Sequence, residues 1–203
     1  MHDINTTTRP LFWRSWLIWM LGFLALPIGG FAAILVVGRI DSAPAAVIGG
    51  AITGLVVGAG QALASRGRLD WRWWVPATTV GMAVGLLLGA AAVGYRSTLP
   101  DLVIMGALTG VPLGIAQTIA LPRRALLRWI WAAAMPALWA LGWTVTTVAG
   151  IAVSDQFPIF GAFGAIAFTA ASGVLLHVLL PTGPAPAGQS QSDTAHPVVA
   201  DVQ

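Results

Sequence analysis

Gly50-Ala51-Ile52-Thr53-Gly54-Leu55-Val56-Val57-Gly58-Ala59-Gly60-Gln61 returns 56 residues later as Gly106-Ala107-Leu108-Thr109-Gly110-Val111-Pro112-Leu113-Gly114-Ile115-Ala116-Gln117. Both copies read G-x-x-x-G-x-x-x-G-x-x-Q. On a helix that turns about 100° per residue, the three glycines and the glutamine fall within about 80° of one another and form one narrow stripe on an apolar surface. Such a stripe lets a second helix approach closely. Lipid tails give helices no hydrophobic reason to associate, so packing through small residues has to supply the attraction.

The composition puts that helix in a membrane. A chain of 203 residues that is 57% hydrophobic and 8% charged, with a mean hydropathy of +0.83, has too little polar surface to cover a soluble globule. Its uncharged apolar runs approach the roughly 20 residues needed to cross a bilayer core of about 30 Å. They cover approximately 15–38, 46–64, 73–94, 102–121, 129–153 and 159–180, with Pro112 placed to bend the fourth. The first run is too long for the hydrophobic region of a signal peptide, which has roughly 7 to 15 residues. From Pro181 the chain turns to Pro, Ala, Gly, Ser and Gln, a composition expected to stay disordered.

Six runs also form a three-fold pattern. Each odd run opens with arginine and tryptophan, at Arg14-Ser15-Trp16, Arg72-Trp73-Trp74 and Arg128-Trp129, and a run rich in small residues follows. The unit is a helical hairpin of about 57 residues, and its copies cover about 15–64, 73–121 and 129–180. The third is degenerate: Gly164 and Ser172 keep part of the stripe, Phe168 interrupts it, and no glutamine follows. The third run carries a small-residue stripe of its own at Gly81, Gly85 and Gly89.

Arginine placement orients the chain. With a cytoplasmic N-terminus, eight arginines (9, 14, 66, 68, 72, 123, 124 and 128) fall on the cytoplasmic side and two (39 and 96) opposite. Eight of the ten tryptophans lie near that same face, as an interfacial belt, while Trp139 and Trp143 fall deeper. The pI of about 11.1 therefore reflects topology, and nucleic acid is not an expected partner.

Few residues could carry chemistry. Gln61 and Gln117 occupy equivalent positions and need hydrogen-bond partners in lipid, where an interhelical bond is worth about 0.6 to 2 kcal/mol. They read as packing glue or, with Thr53 and Thr109, as a polar lining for a small solute. Asp41, Asp101 and Asp155 mark the three far-side loops and read as solvated charges, because an ionised Asp costs roughly 2.5 to 3.5 kcal/mol at a helix centre. His177 reads as interfacial. The runs hold no carboxylate, no H-E-x-x-H and no Ser-Lys pair, and the chain has no Cys and no Walker motif. No catalytic set, metal site or cofactor is expected.

The repeated G-x-x-x-G-x-x-x-G-x-x-Q helix, followed by an arginine loop and tryptophan, resembles a pattern in uncharacterised bacterial multi-pass membrane proteins over about residues 46–150. The resemblance implies no activity. The P-x-D/E-x-x-K/R signature of mitochondrial carriers is absent.

The expectation is thus an all-α integral membrane protein with six transmembrane helices as three hairpin repeats. A cytoplasmic segment 1–14, a transmembrane domain 15–180 and a disordered cytoplasmic tail 181–203 make up the chain. It is expected in a bacterial cell membrane in a non-catalytic structural or accessory role. Helix packing falls to Gly50, Gly54, Gly58, Gly81, Gly85, Gly89, Gly106, Gly110 and Gly114. The partners expected are the lipid bilayer, a second copy or another membrane protein, and anionic lipid at the cytoplasmic arginine loops. A small permease or channel for a neutral or weakly polar solute, with Gln61 and Gln117 near its path, is the alternative.

Overall fold

The computed structural model describes residues 9–123, 125, 127–151 and 162–180, with side chains from residue 12 onward. Segment 1–8, Asp155 with its loop, and the tail from Pro181 lie outside the described residues. Within them the chain is helical. Helix α1 (Arg9–Leu21), a tight 3-10 turn (Gly22–Leu24) and α2 (Ala25–Val37) form one broken rod; α3 (Ala43–Ala64), α4 (Trp71–Ala92), α5 (Leu99–Ala120), α6 (Trp129–Val148) and α7 (Ala162–Leu179) follow.

Five rods are long and apolar enough to cross a membrane: Phe12–Val37, Ala43–Ala64, Trp71–Ala92, Leu99–Ala120 and Ala162–Leu179. Three of them are 22-residue helices, about 33 Å long at 1.5 Å per residue. The sixth rod expected from the sequence, α6, falls short of that hydropathy. Its Trp129, Trp131, Trp139 and Trp143, with Pro136 and three threonines, weigh as polar on such a scale.

Helices α3, α4 and α5 start a few residues before the apolar runs, because polar residues begin them. Ser42 with Pro44 opens α3, Asp70 caps α4 by accepting from the Arg72 amide at 3.0 Å, and Thr98 with Pro100 opens α5. The break at Gly22–Leu24 was not expected. Pro27 explains it: four residues on, it cannot donate to the Phe23 carbonyl, and its ring crowds that turn.

Each rod packs against the next in sequence, and α7 returns to α1, the 3-10 turn and α2, so the six rods close into a ring. The interior of one half is built on Trp19, Trp74, Trp131, Leu113 and Leu176, each 0–1% exposed. A smaller cluster around Ala46, Ala90, Val93, Leu102 and Met105 fills the other end. Outward faces stay apolar, as at Leu35, Leu63, Val80, Ile119 and Val178, which suits contact with lipid.

The glycines lie where the rods approach most closely. A Cβ on Gly54 would stand 2.7 Å from the Thr78 carbonyl oxygen, on Gly85 2.5 Å from that of Thr109, and on Gly110 2.6 Å from that of Met135. Gly50 and Gly58 likewise face α4, Gly81 and Gly89 face α5, and Gly106 and Gly114 face α6. On α7, Gly164 lies against Gly142 and Thr146 of α6, and Gly173 against Trp16 and Trp19 of α1.

Candidate functional site

Among the described residues, a convergent set of buried polar side chains from four helices lies at the end where the arginines gather. Gln61 and Gln117 sit in the last turns of α3 and α5, Trp74 and Trp131 in the first turns of α4 and α6, and Thr78 one turn further along α4. Gln61 is 6% exposed, Gln117 and Trp131 are at 1% and 0%, and Trp74 and Thr78 at 0%.

Their hydrogen bonds form a connected chain. The Trp74 indole donates to Gln61 Oε1 at 3.0 Å, and the Trp131 indole donates to Gln117 Oε1 at 2.9 Å. Gln117 Nε2 donates both to Gln61 Oε1 at 3.2 Å and to Thr78 Oγ1 at 3.0 Å. The Thr78 hydroxyl in turn donates to the Trp74 carbonyl at 2.8 Å. An indole N–H can only donate, so each tryptophan dictates which way its glutamine amide points. The two indole rings meet edge to face with centroids 5.8 Å apart. Across the ring, Trp19 donates to Ser172 Oγ at 3.3 Å, and Ser172 in turn donates to the Thr169 carbonyl at 3.2 Å.

Two of the four residues expected as a polar lining are elsewhere. Thr53 and Thr109 lie about two turns from the glutamines along their helices, about 12 Å at 1.5 Å per residue. Each donates to a glycine carbonyl on the preceding rod, Thr53 to Gly29 at 3.3 Å and Thr109 to Gly85 at 3.2 Å. The site therefore joins Gln61 to Gln117 and leaves the threonines in the helix seams. A groove of about 620 Å³ opens on the outside between the α1–α2 break and α3. It is lined by Ile18, Leu21, Gly22, Leu55, Gly60, Leu63 and their neighbours, and none of these four polar residues reaches it.

Several side chains behave differently from the expectation. Trp13, Trp71, Trp73 and Trp129 are 55–70% exposed, as belt residues should be, but Trp19, Trp74 and Trp131 point inward. A buried indole needs an acceptor, and the two glutamines are the only side-chain amides within the apolar runs. That need, together with tryptophans at matching places in two repeats, was the signal available for these donors.

Asp101 is not a solvated loop charge. It lies in the first turn of α5, 8% exposed, and holds Arg96 by two bonds, Nε to Oδ2 at 3.2 Å and Nη2 to Oδ1 at 3.1 Å. The Thr98 hydroxyl donates to Oδ2 at 2.6 Å, so cap and carboxylate close a box at the helix N-terminus, where negative charge is favoured. Asp41 is exposed. His177 occupies the last turn of α7 with its ring edge against Phe12, centroids 4.5 Å apart.

Chemically, the network contains amides, indoles and hydroxyls, none of which titrates near neutrality or is activated as a nucleophile. Among the described residues no group of three or more His, Cys, Asp or Glu could hold a metal ion. No protein-family model, curated protein or solved structure matches this chain.

Proposed function

We propose that this chain is a non-catalytic multi-pass membrane protein of structural or accessory role, in which the buried network locks three helical hairpins into one ring. The carrying observation is how the glutamines are used. Their oxygens accept from tryptophans of the following helices, and Gln117 spends its amide on Gln61 and Thr78. Groups so committed to one another hold helices together and have little left to offer a passing solute.

In this reading all six rods span the cell membrane, α6 included, since its tryptophans either line the interface or face inward. Both termini and the arginine-rich loops are cytoplasmic, in keeping with the eight-to-two arginine bias. Contacts that recur 56 residues apart support hairpin repetition, as Thr53 to Gly29 does beside Thr109 to Gly85. The apolar outer faces leave room for a second copy or another membrane protein. The kinship with bacterial multi-pass proteins sharing the glycine and glutamine pattern belongs to the same proposal.

The test is flux. Proteoliposomes containing the wild type are screened for swelling in small neutral solutes, beside protein-free liposomes and the Gln61→Leu/Gln117→Leu double variant. A structural protein leaves the swelling rate at the protein-free value for every solute. Solute-specific swelling that the double variant abolishes, while remaining folded, would make the chain a permease.

A further inference from the structure

The break at Gly22–Leu24 divides the first rod between two neighbours. Beyond it α2 lies on α3, where a Cβ on Gly29 would stand 3.1 Å from the Thr53 carbonyl oxygen and the Thr53 hydroxyl donates to the Gly29 carbonyl. Before it α1 leans on α7: the Trp16 indole donates to the Ala170 carbonyl at 3.1 Å, the Trp19 indole to Ser172 Oγ at 3.3 Å, and Gly173 faces both rings. Helix α1 thus swings away from α3, and the groove of about 620 Å³ is the space left between them.

Small residues line the groove where the rods come closest. A Cβ on Gly60 would stand 2.5 Å from that of Ala25, and one on Gly22 3.5 Å from that of Ala64. The rim carries Leu21, Leu24, Leu55 and Leu63, which are 48–81% exposed. On α3 the lining runs from Leu55 to Ala64, nine residues or about 13.5 Å at 1.5 Å per residue. That is close to one leaflet, about half of the roughly 30 Å hydrocarbon core.

The groove ends where the arginines gather. Arg14 stands four residues before Ile18 on the same face of α1, and Arg66 follows Leu63 by three. Both are exposed, and among the described residues neither guanidinium has a hydrogen bond or ion pair. The nearby carboxylate, Asp70, is occupied at the N-terminus of α4. The mouth of the groove therefore carries uncompensated positive charge.

Inside hydrocarbon no water fills such a groove, and an empty one forfeits the van der Waals contacts of its lining. A partner helix fits poorly: the small residues that permit close approach are already taken up between α2 and α3, and it would meet only the leucine rim. A flexible chain without side groups fits. We propose that the groove binds one acyl chain of an anionic phospholipid, with its phosphate held between Arg14 and Arg66. Groove length selects the chain, and the two arginines select the head. The site goes beyond the structural role proposed above and rests on its reading that the rods span the membrane with this end cytoplasmic.

The experiment is native mass spectrometry of the full chain in neutral detergent, reading the apparent affinity for the first bound lipid. The titrants are dioleoyl-phosphatidylglycerol, dihexanoyl-phosphatidylglycerol and dioleoyl-phosphatidylcholine. The first should saturate a site of one lipid per chain. The second, with the same head on chains too short to fill the groove, and the third, without net charge, should each bind about tenfold more weakly or worse. Ala59→Phe, which fills the groove, should weaken the first lipid about tenfold or more, whereas Ala137→Phe, exposed on α6, should stay within about twofold. Arg14→Gln with Arg66→Gln should weaken it about tenfold, and the charge-matched pair Arg123→Gln with Arg128→Gln, in the α5–α6 connection, within about twofold.

Equal affinity for the two phosphatidylglycerols overturns the proposal, as does wild-type affinity in Ala59→Phe. Equal weakening by the two arginine pairs would mean diffuse charge attraction and overturn it too. A dimer that Ala59→Phe abolishes and lipid leaves unchanged would put a second copy in the groove instead. Should Ala59→Phe fail to fold, the two phosphatidylglycerols compared on wild type decide. Retention of wild type in phosphatidylcholine vesicles after an alkaline wash, measured on the same preparation, separates failure of this site from failure of the membrane reading.

Discussion

Replacing one glutamine of the buried network should cost more than replacing the other, and the bonding pattern says which. In Gln117→Leu, Gln61 Oε1 keeps Trp74 and the Thr78 hydroxyl keeps its bond to the Trp74 carbonyl, so the Trp131 indole is the one donor stranded. In Gln61→Leu, the Trp74 indole and one N–H of the Gln117 amide both lose their acceptor. The double variant strands the Trp74 and Trp131 indoles, the same number as Gln61→Leu alone. At about 1 kcal/mol for each stranded buried donor, within membrane measurements that average about 0.6 and reach about 1.7, the expected losses are about 1 kcal/mol for Gln117→Leu and about 2 for Gln61→Leu. The double variant should also lose about 2 kcal/mol, short of the sum of the singles by about 1. The assay is equilibrium unfolding in mixed neutral and anionic detergent micelles, followed by far-ultraviolet circular dichroism so that changed tryptophan emission does not intrude. Losses that add within about 0.5 kcal/mol, the behaviour of independent sites, would refute the network, and so would a larger loss for Gln117→Leu than for Gln61→Leu.

Other consequences follow from the same contacts. Gly54→Leu and Gly110→Leu place a side chain where carbonyl oxygens stand 2.7 and 2.6 Å from the first added carbon, so each should lose about 1 to 3 kcal/mol in the same unfolding assay. Gly22→Ala should be neutral or stabilising by up to about 1 kcal/mol, because the nearest atom, Ala64 Cβ, is 3.5 Å away and alanine restricts the unfolded chain. Wild-type stability after Gly54→Leu would remove that glycine from the interface. Thr98→Ala, which removes both the cap of α5 and the hydroxyl bonded to Asp101, should lower Tm by the equivalent of about 1 kcal/mol, read by differential scanning fluorimetry.

Much of the fold was legible because bilayer-length apolar runs are long-range signals that average over local error. The ends were less so: Ser42 and Thr98 look like loop residues until the proline two positions on marks them as helix starts. The helix break at Gly22–Leu24 was present in the sequence as Pro27, but a single proline inside a strongly apolar run does not say how the chain will accommodate it. The equivalence of Gln61 and Gln117 could be read directly; that they bond to each other could not, since repeat copies 56 residues apart need not meet. Tryptophan placement shows the limit most clearly. Trp73 and Trp74 are neighbours in sequence, yet one is 70% exposed and the other 0%, because about 100° of helix rotation separates a lipid-facing side chain from one in the ring interior. The Arg96–Asp101 pair was missed for a different reason: the helix starts earlier than hydropathy implies, which turns an apparent loop acid into a first-turn carboxylate.

The most direct test of the multi-pass arrangement is single-cysteine labelling, which this cysteine-free chain allows without background. Ser42→Cys, Arg66→Cys, Ser97→Cys and Leu127→Cys all place the thiol at exposed positions between rods, whereas Ala125, in the same loop as Leu127, is 2% exposed and unsuitable. In intact cells, a membrane-impermeant maleimide should label positions 42 and 97 from outside, and positions 66 and 127 only after the membrane is opened. Labelling of 66 and 97 from the same side would contradict the account, because α4, which joins them, could not then cross the bilayer.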